Sequence, residues 1–518
     1  MAAKASVQGV VAGFSPSPAE ICRVTDHCPQ YMSQALSGKG GTQMPSFVTN
    51  LPNGPETGVF LAVDLGGTNC RISAVELHGN STYTMKQSKY AVPREFMVNP
   101  RHEPLFDFVA TNIASFLKGN PEMAAQRDPK STRPSWPGVH KLGFTFSFTY
   151  ESHSVCHGTM LQWDKGWDIP DAIGRDPCRM LQDALDRQTL PVRVVALTND
   201  SVGTFMATAY TSSEACSPLL GAIFGTGTNA AYVEHVARID KLPQKYETLR
   251  GKDAVMVINT EWGAWFDKTA AALPSCMYDD ILDLESAAPG EQRFEKQTSG
   301  LYLGELMRLA MLDLIAAKQL QMTARSDSPL HTPYRIDAAF VSMLAAHFES
   351  QKKIHWERTM THISERLNVD DVTLEDIQAL ELLAAAIMKR AAQLAGAAMA
   401  AIIIQSGRLP YSTLKPAASR KWVAWYRWLA SGSAFCSLGR GRADDDADSD
   451  RTMTAPAGCI EIGIDGSLFE HYPPFEKEIR KVLRAVPRIG PQGEARVKIR
   501  LVKDGSSLGA ALIAQSVS

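Results

Sequence analysis

Apolar and polar positions alternate most clearly in two places, and the two resemble each other. Residues 60–77 read FLAVDLGGTNCRISAVEL, and residues 219–236 read LLGAIFGTGTNAAYVEHV. Each is an apolar β-type run, a Gly/Thr/Asn turn and a second alternating run, which predicts a hairpin. Residues 104–118 carry apolar positions at i, i+3 and i+4 and predict a helix. HKLGFTFSFTY (140–150) predicts a strand, and ALTNDSVGTFMATAY (196–210) a strand, a turn and a helix over 202–210. VMVINTEWGAWF (255–266) predicts a strand running into a polar turn. Helical spacing dominates 300–405. IEIGIDGSLF (460–469) predicts a strand and turn leading into the helix PPFEKEIRKVLRA. The chain closes with a strand, a Gly/Ser turn and a short helix in VKIRLVKDGSSLGAALIAQ.

The repeated turn is the most informative feature. Glycines let backbone N–H groups approach an anion, and Thr and Asn add side-chain donors. One such hairpin is an ordinary tight β-turn. Two point to a duplicated domain with a polyphosphate held between the halves.

Composition narrows the field. The 518 residues allow one to three domains, and 45% hydrophobic with 21% charged residues is ordinary for a globular protein. A net charge of −2 without a basic stripe argues against nucleic acid as a partner. The nine cysteines show no C-x-x-C pair, which argues against structural zinc and a disulfide framework and favours a reducing, cytoplasmic setting. The first twenty residues lack the continuous apolar core of a signal peptide. AAQLAGAAMAAIIIQ (391–405) falls short of the ~20 residues a bilayer requires and predicts a buried helix, so no membrane span is expected. Residues 408–459, with Trp422, Trp425, Tyr426, Trp428 and an acidic DDDADSD run, lack periodicity and read as a surface insertion or as translated non-coding sequence.

Candidate chemistry gathers around the turns. Asp200 lies at a strand end in Thr198-Asn199-Asp200-Ser201, placed to take a proton from a hydroxyl; the competing reading is a helix N-cap. Asp64 precedes the first turn and faces phosphate, acting through Mg²⁺ or its water, or else starts an Asx-turn. Arg71 neutralises phosphate or is a solvated strand residue. Glu261 ends an apolar strand, which calls for a hydrogen-bonded role. Glu295 joins it, with Lys165, as a set suited to a polyhydroxylated ligand. Trp163 and Trp167 are expected to pack rather than to stack on a sugar.

These segments together resemble the eukaryotic hexokinase/glucokinase family through most of 44–407 and 460–515. LAVDLGGTNCRIS and FGTGTNAAYVE resemble its phosphate motifs, LGFTFSF with W-x-K-G-W its sugar signature, and LTNDSVGTFMA its base segment. INTEWGAW, FEKQTSGLYLGELMRLAM, IGIDGSLFEHYPPFEKEIR and SSLGAAL resemble its remaining signatures. The resemblance implies an α/β protein of the actin-like, ribonuclease-H-like fold, two domains around a deep cleft. It implies 59–201 as a small domain and 202–504 as a large one. Residues 1–58 would pack on the large domain and 505–518 would return to the small one. Asp200 would be the catalytic base. Sugar contacts would fall on Ser147, Asp164, Lys165, Asn199, Asn229, Glu261, Gln292 and Glu295. Nucleotide contacts would fall on Asp64, Gly66, Gly67, Thr68, Asn69, Arg71, Thr226, Gly227, Asp465, Gly466 and Ser467. The implied partners are a hexose and MgATP, with Mg²⁺ carried on the ATP phosphates, and the implied state is a monomer or homodimer. The sequence departs from the family at Thr149, where proline is usual, at Asp164, where threonine is usual, and at Ser507-Leu508. Glucose and N-acetylglucosamine both stay open as acceptors, and so does a catalytically weak sugar-binding regulator.

Overall fold

The computed structural model describes residues 5–120, 138–163, 166–213, 215–251, 253–350, 356–409 and 458–517. The insertion expected over 408–459 lies almost wholly outside them, as do Asp164 and Lys165.

Two sheets organise the chain. The first contains β2 (Thr57–Gly66), β3 (Asn69–His78), β4 (Tyr83–Ala91), β5 (His140–Phe146) and β8 (Val192–Thr198) in the order β4-β3-β2-β5-β8. The second contains β1 (Met44–Pro45), β9 (Cys216–Phe224), β10 (Thr228–His235), β11 (Val255–Asn259), β14 (Cys459–Asp465) and β15 (Val497–Leu501) in the order β1-β11-β10-β9-β14-β15. Apart from β1 the two orders are the same. In each, three antiparallel strands precede two strands that join in parallel. Parallel joins need helical crossovers, which cover both sheet faces. β6 (Thr149–Ser154) and β7 (His157–Gln162) form a separate hairpin beside the first sheet, and β12 (Thr323–Ala324) pairs with β13 (Val369–Asp370). This duplicated α/β architecture is the actin-like, ribonuclease-H-like fold.

Each half ends in a helix that leaves its own sheet. Helix Asp200–Thr211 follows β8 and packs on β9; helix Gly505–Ser516 follows β15 and packs on β5 and β2. The two cross at glycines. A Cβ on Gly509 would lie 2.1 Å from the Gly203 carbonyl oxygen, and one on Gly203 would lie 2.8 Å from the Ser506 Cα. Only hydrogen fits there, so the backbones touch and the halves are tied at the base of the cleft.

The helix Leu374–Ser406 is apolar nearly all round and is long and apolar enough to cross a membrane. It is buried, enclosed by helices Pro18–Leu36, Ala338–Ser350 and Pro474–Ala485, as a core helix with no polar face should be. Pro18–Leu36 begins at a capping box in which Ser17 and Glu20 satisfy each other's backbone donors.

Three sequence expectations need correction. The strand expected over 140–150 stops at Phe146, and Thr149 begins β6. The strand expected to end at Glu261 stops at Asn259, because Glu261 takes a left-handed conformation (φ 44°) and starts a short 3₁₀ turn at Trp262. The scattered cysteines gave no sign of pairing, yet β9 and β14 are neighbours, and their register sets Cys216 opposite Cys459 in a disulfide.

Candidate active site

The first turn is a two-residue loop, Gly67-Thr68, with Gly66 paired to Asn69 across it. That register sets Asp64 directly opposite Arg71. The Arg71 guanidinium donates to Asp64 Oδ2 at 2.8 Å, and the Ser506 hydroxyl donates to the same oxygen at 2.9 Å. Asp64 is buried while Arg71 is partly exposed. Arg71 is therefore committed to Asp64, while its side chain stays partly open to solvent. Trp167 is buried against Phe148 and donates from its indole nitrogen to the Gly67 carbonyl at 2.6 Å. Trp163 donates to the Ile169 carbonyl and meets Phe148 edge-on. Both tryptophans pack, and Trp167 also braces the turn. Asn69 donates to Thr68 Oγ1 at 3.0 Å. Ser147 follows β5, its N–H bonded to the Leu65 carbonyl, so it sits beside Gly66.

At the end of β8 the cap is Asn199, not Asp200. Asn199 Oδ1 accepts from the Val202 N–H at 3.0 Å and from Ser201 Oγ at 3.3 Å, and Asp200 is the first residue of the helix. The capping role that competed for Asp200 is thus filled by its neighbour. Asp200 Oδ1 accepts from the Ser201 N–H at 2.7 Å. Asn199 Nδ2 is buried and finds no hydrogen-bond partner among the described residues. A buried donor left unmade costs free energy, so this amide suits a ligand acceptor.

On the other half, Glu261 is gripped by two amides. Asn229 Nδ2 donates to Glu261 Oε1 at 3.0 Å and Asn259 Nδ2 donates to it at 2.8 Å. Asn229 also donates to Asn259 Oδ1 at 3.0 Å. Gln292 begins helix Arg293–Thr298 in a left-handed conformation (φ 55°), held by its N–H on Asp267 at 3.0 Å. Gly263 accommodates this packing, since a Cβ there would meet Gln292 Oε1 at 2.2 Å and Glu295 Cβ at 3.2 Å. Glu295 also neighbours Gly227 of the second turn. That turn, Gly225-Thr226-Gly227, is fixed to the start of helix Gly300–Ala316: Gly300 N–H donates to Gly225 O at 2.8 Å, and Leu301 N–H to Thr226 O at 3.0 Å. Tyr150, on β6 of the first half, feels the charges of both sets. Burial pushes its phenol up, and the charges of Glu261 and Asp200 act in the same direction.

Asp465 ends β14, and Gly466 follows it against the second turn. Gly466 (φ 119°) lies so close to the Phe224 carbonyl that no side chain fits, and Ser467 opens the next short helix. Burial pushes the Asp465 carboxyl up to about 6, opposed by backbone donors from Gly466 and Gly505 and raised further by Asp504. Sequence pattern alone does not single out Asn259, Ser506, Gly263 or Tyr150. Asn259 and Arg71 carried usable signals: Asn259 lies two residues from Glu261, and Asp64 and Arg71 lie equidistant from the two-residue loop.

Comparison with known proteins agrees with this geometry. Two hexokinase family models match, over residues 6–210 and 219–516. A glucokinase of Aspergillus niger is 37% identical over 97% of this chain and 94% of its own length. Glucokinase-1 of Saccharomyces cerevisiae is 34% identical over 98% and 96%. A solved hexokinase of Schistosoma mansoni in complex with glucose aligns with a TM-score of 0.76 at 28% identity, covering 98% of each chain. The chain belongs to the hexokinase family. It is a phosphotransferase that uses ATP to phosphorylate a hexose. The comparisons favour neither an N-acetylglucosamine kinase nor a catalytically weak regulator.

Proposed function

We propose that the chain moves the γ-phosphoryl group of MgATP to the 6-hydroxyl of glucose, with Asp200 as the base. The observation that carries this reading is the buried, unpartnered Asn199 amide beside Asp200. Its donor suits a sugar hydroxyl, and each such hydroxyl both donates and accepts. Ser147, Asn229, Glu261, Gln292 and Glu295 supply the remaining sugar contacts, with Lys165 and Asp164 expected from sequence. The Asn229 and Asn259 amides hold Glu261 as an acceptor of fixed direction.

Gly66, Gly67, Thr68, Asn69, Thr226, Gly227, Gly466 and Ser467 line the phosphates and nucleotide. The narrow turns and the crowded Gly466 fit that role, because backbone donors reach an anion only where side chains are absent. Asp64 and Asp465 are the carboxylates suited to the Mg²⁺ carried by ATP, which neutralises phosphate charge. Arg71 and Ser506 fix the direction of Asp64. Asp200 accepts the 6-hydroxyl proton as that oxygen bonds to the γ-phosphorus and the bond from phosphorus to the bridging β–γ oxygen breaks, releasing ADP; closure of the halves excludes water as a competing acceptor. The enzyme acts in the cytoplasm as a monomer or homodimer.

A coupled ADP-release assay across glucose, fructose, mannose, glucosamine and N-acetylglucosamine tests the reading. ADP should appear only with sugar, and fastest with glucose. Sugar-independent ADP release, or faster turnover of N-acetylglucosamine, overturns it.

A further inference from the structure

A segment far earlier in the chain also holds Glu261. After helix Pro18–Leu36 the chain turns back through Gly40 and Gly41 and enters β1, whose Met44 pairs with Asn259 of β11. That register carries Thr42 and Gln43 past the end of β11, to Thr260 and Glu261. The Thr42 hydroxyl donates to the Thr260 carbonyl at 2.6 Å and lies 3.3 Å from the Glu261 carbonyl. The Thr260 oxygen also takes longer bonds from the Trp265 indole at 3.2 Å and the Gln43 N–H at 3.3 Å.

The Thr260 carbonyl belongs to the peptide plane before the Glu261 Cα, and the Glu261 carbonyl to the plane after it. One hydroxyl therefore touches both planes whose rotation defines the left-handed conformation of Glu261. A non-glycine residue stays in that conformation only where its surroundings over-determine it. Asn229 and Asn259 set the carboxylate, and Thr42 sets the backbone that carries it.

Thr42 is itself held. Its N–H donates to the Tyr31 phenol oxygen at 3.0 Å, and the two hydroxyls lie 3.4 Å apart. A threonine hydroxyl has one proton; with that proton on Thr260, Thr42 accepts from Tyr31. Gly41 (φ 86°) permits the approach, since a Cβ there would lie 3.0 Å from the Tyr31 oxygen. The Tyr31 ring also meets Trp265, its centroid 6.1 Å away, in the turn that follows Glu261.

We infer that Thr42 is a positioning residue for sugar binding, acting through the Glu261 backbone and oriented by Tyr31. This rests on Glu261 as a sugar contact, proposed above.

Glucose binding is measured by calorimetry on the full chain without nucleotide, and KM and kcat by ADP release. Thr42→Val removes the hydroxyl and should weaken glucose binding and raise KM about fivefold or more, with a smaller change in kcat, as loss of a hydrogen bond predicts. Thr42→Ser keeps the hydroxyl and should hold both within about twofold of wild type. Tyr31→Phe should weaken binding about threefold alone and add little to Thr42→Val, because residues on one path are not additive. If Glu261→Gln leaves glucose affinity unmoved, Glu261 is not a sugar contact, and this inference falls with that reading. If Glu261→Gln weakens glucose binding while Thr42→Val leaves it unmoved, this inference alone is overturned. A Thr42→Ser variant as weak as Thr42→Val overturns it too, as does a lowered melting temperature in Thr42→Val with unmoved affinity, which marks a structural role only. Additive effects of Thr42→Val and Tyr31→Phe remove Tyr31 from the path.

Discussion

Asn259 Nδ2 donates to Glu261 Oε1 at 2.8 Å, from a residue two positions earlier at the end of the same strand. Asn229 reaches the same oxygen from the neighbouring strand. Glu261 leaves the strand in a left-handed conformation, which a non-glycine residue adopts at a cost, so its direction is set by these amides. Asn259→Ala should remove one charge-assisted bond and let the carboxylate swing. A hydrogen bond to a charged group contributes about 1.5–3 kcal/mol, so glucose KM should rise by about tenfold or more, with a smaller change in kcat. A KM within twofold of wild type would show that Asn259 does not position Glu261.

Asp200→Ala should lower kcat by ~10²–10⁴-fold, the usual cost of losing a general base. Glucose binding, read from intrinsic fluorescence, should persist because Asn199 still caps the helix. Turnover above about a tenth of wild type would remove Asp200 from the role.

Arg71→Met should leave the buried Asp64 carboxylate with Ser506 as its one remaining side-chain partner among the described residues. Removing one partner of a buried charge is more damaging than replacing both, so Arg71→Met alone should melt lower than the double variant with Asp64→Leu. Thermal melts of the two decide this, and the reverse order would show that the pair is not a coupled unit.

The Asp465 carboxyl has a folded pKa of about 6, above its ordinary value, mainly through burial. The folded state therefore holds this proton more tightly than the unfolded chain does. The stability it contributes is fully present below the unfolded value near 4 and is lost as pH rises through about 6. Without nucleotide, Asp465→Asn should be less sensitive to pH between 4 and 7 than wild type. Melting temperatures that fall in parallel for both proteins across that window would contradict this assignment.

Much was determined by sequence alone. Both hairpins, the strand before Asp200 and the buried long helix follow from local pattern, because periodicity and turn chemistry act over a few residues. The Asp64–Arg71 pair follows only once the structure shows the two-residue loop that fixes the register. Tertiary structure decided the rest. Asn199 rather than Asp200 caps its helix, a choice between adjacent residues that depends on how β8 enters the turn. Gly203 and Gly509 are required where two helices far apart in the chain cross, a contact no local pattern encodes. Ser506 reaches Asp64 and Cys216 meets Cys459 only because the final elements return to earlier strands. Local chemistry fixed the elements, and long-range packing fixed which side chains share a site.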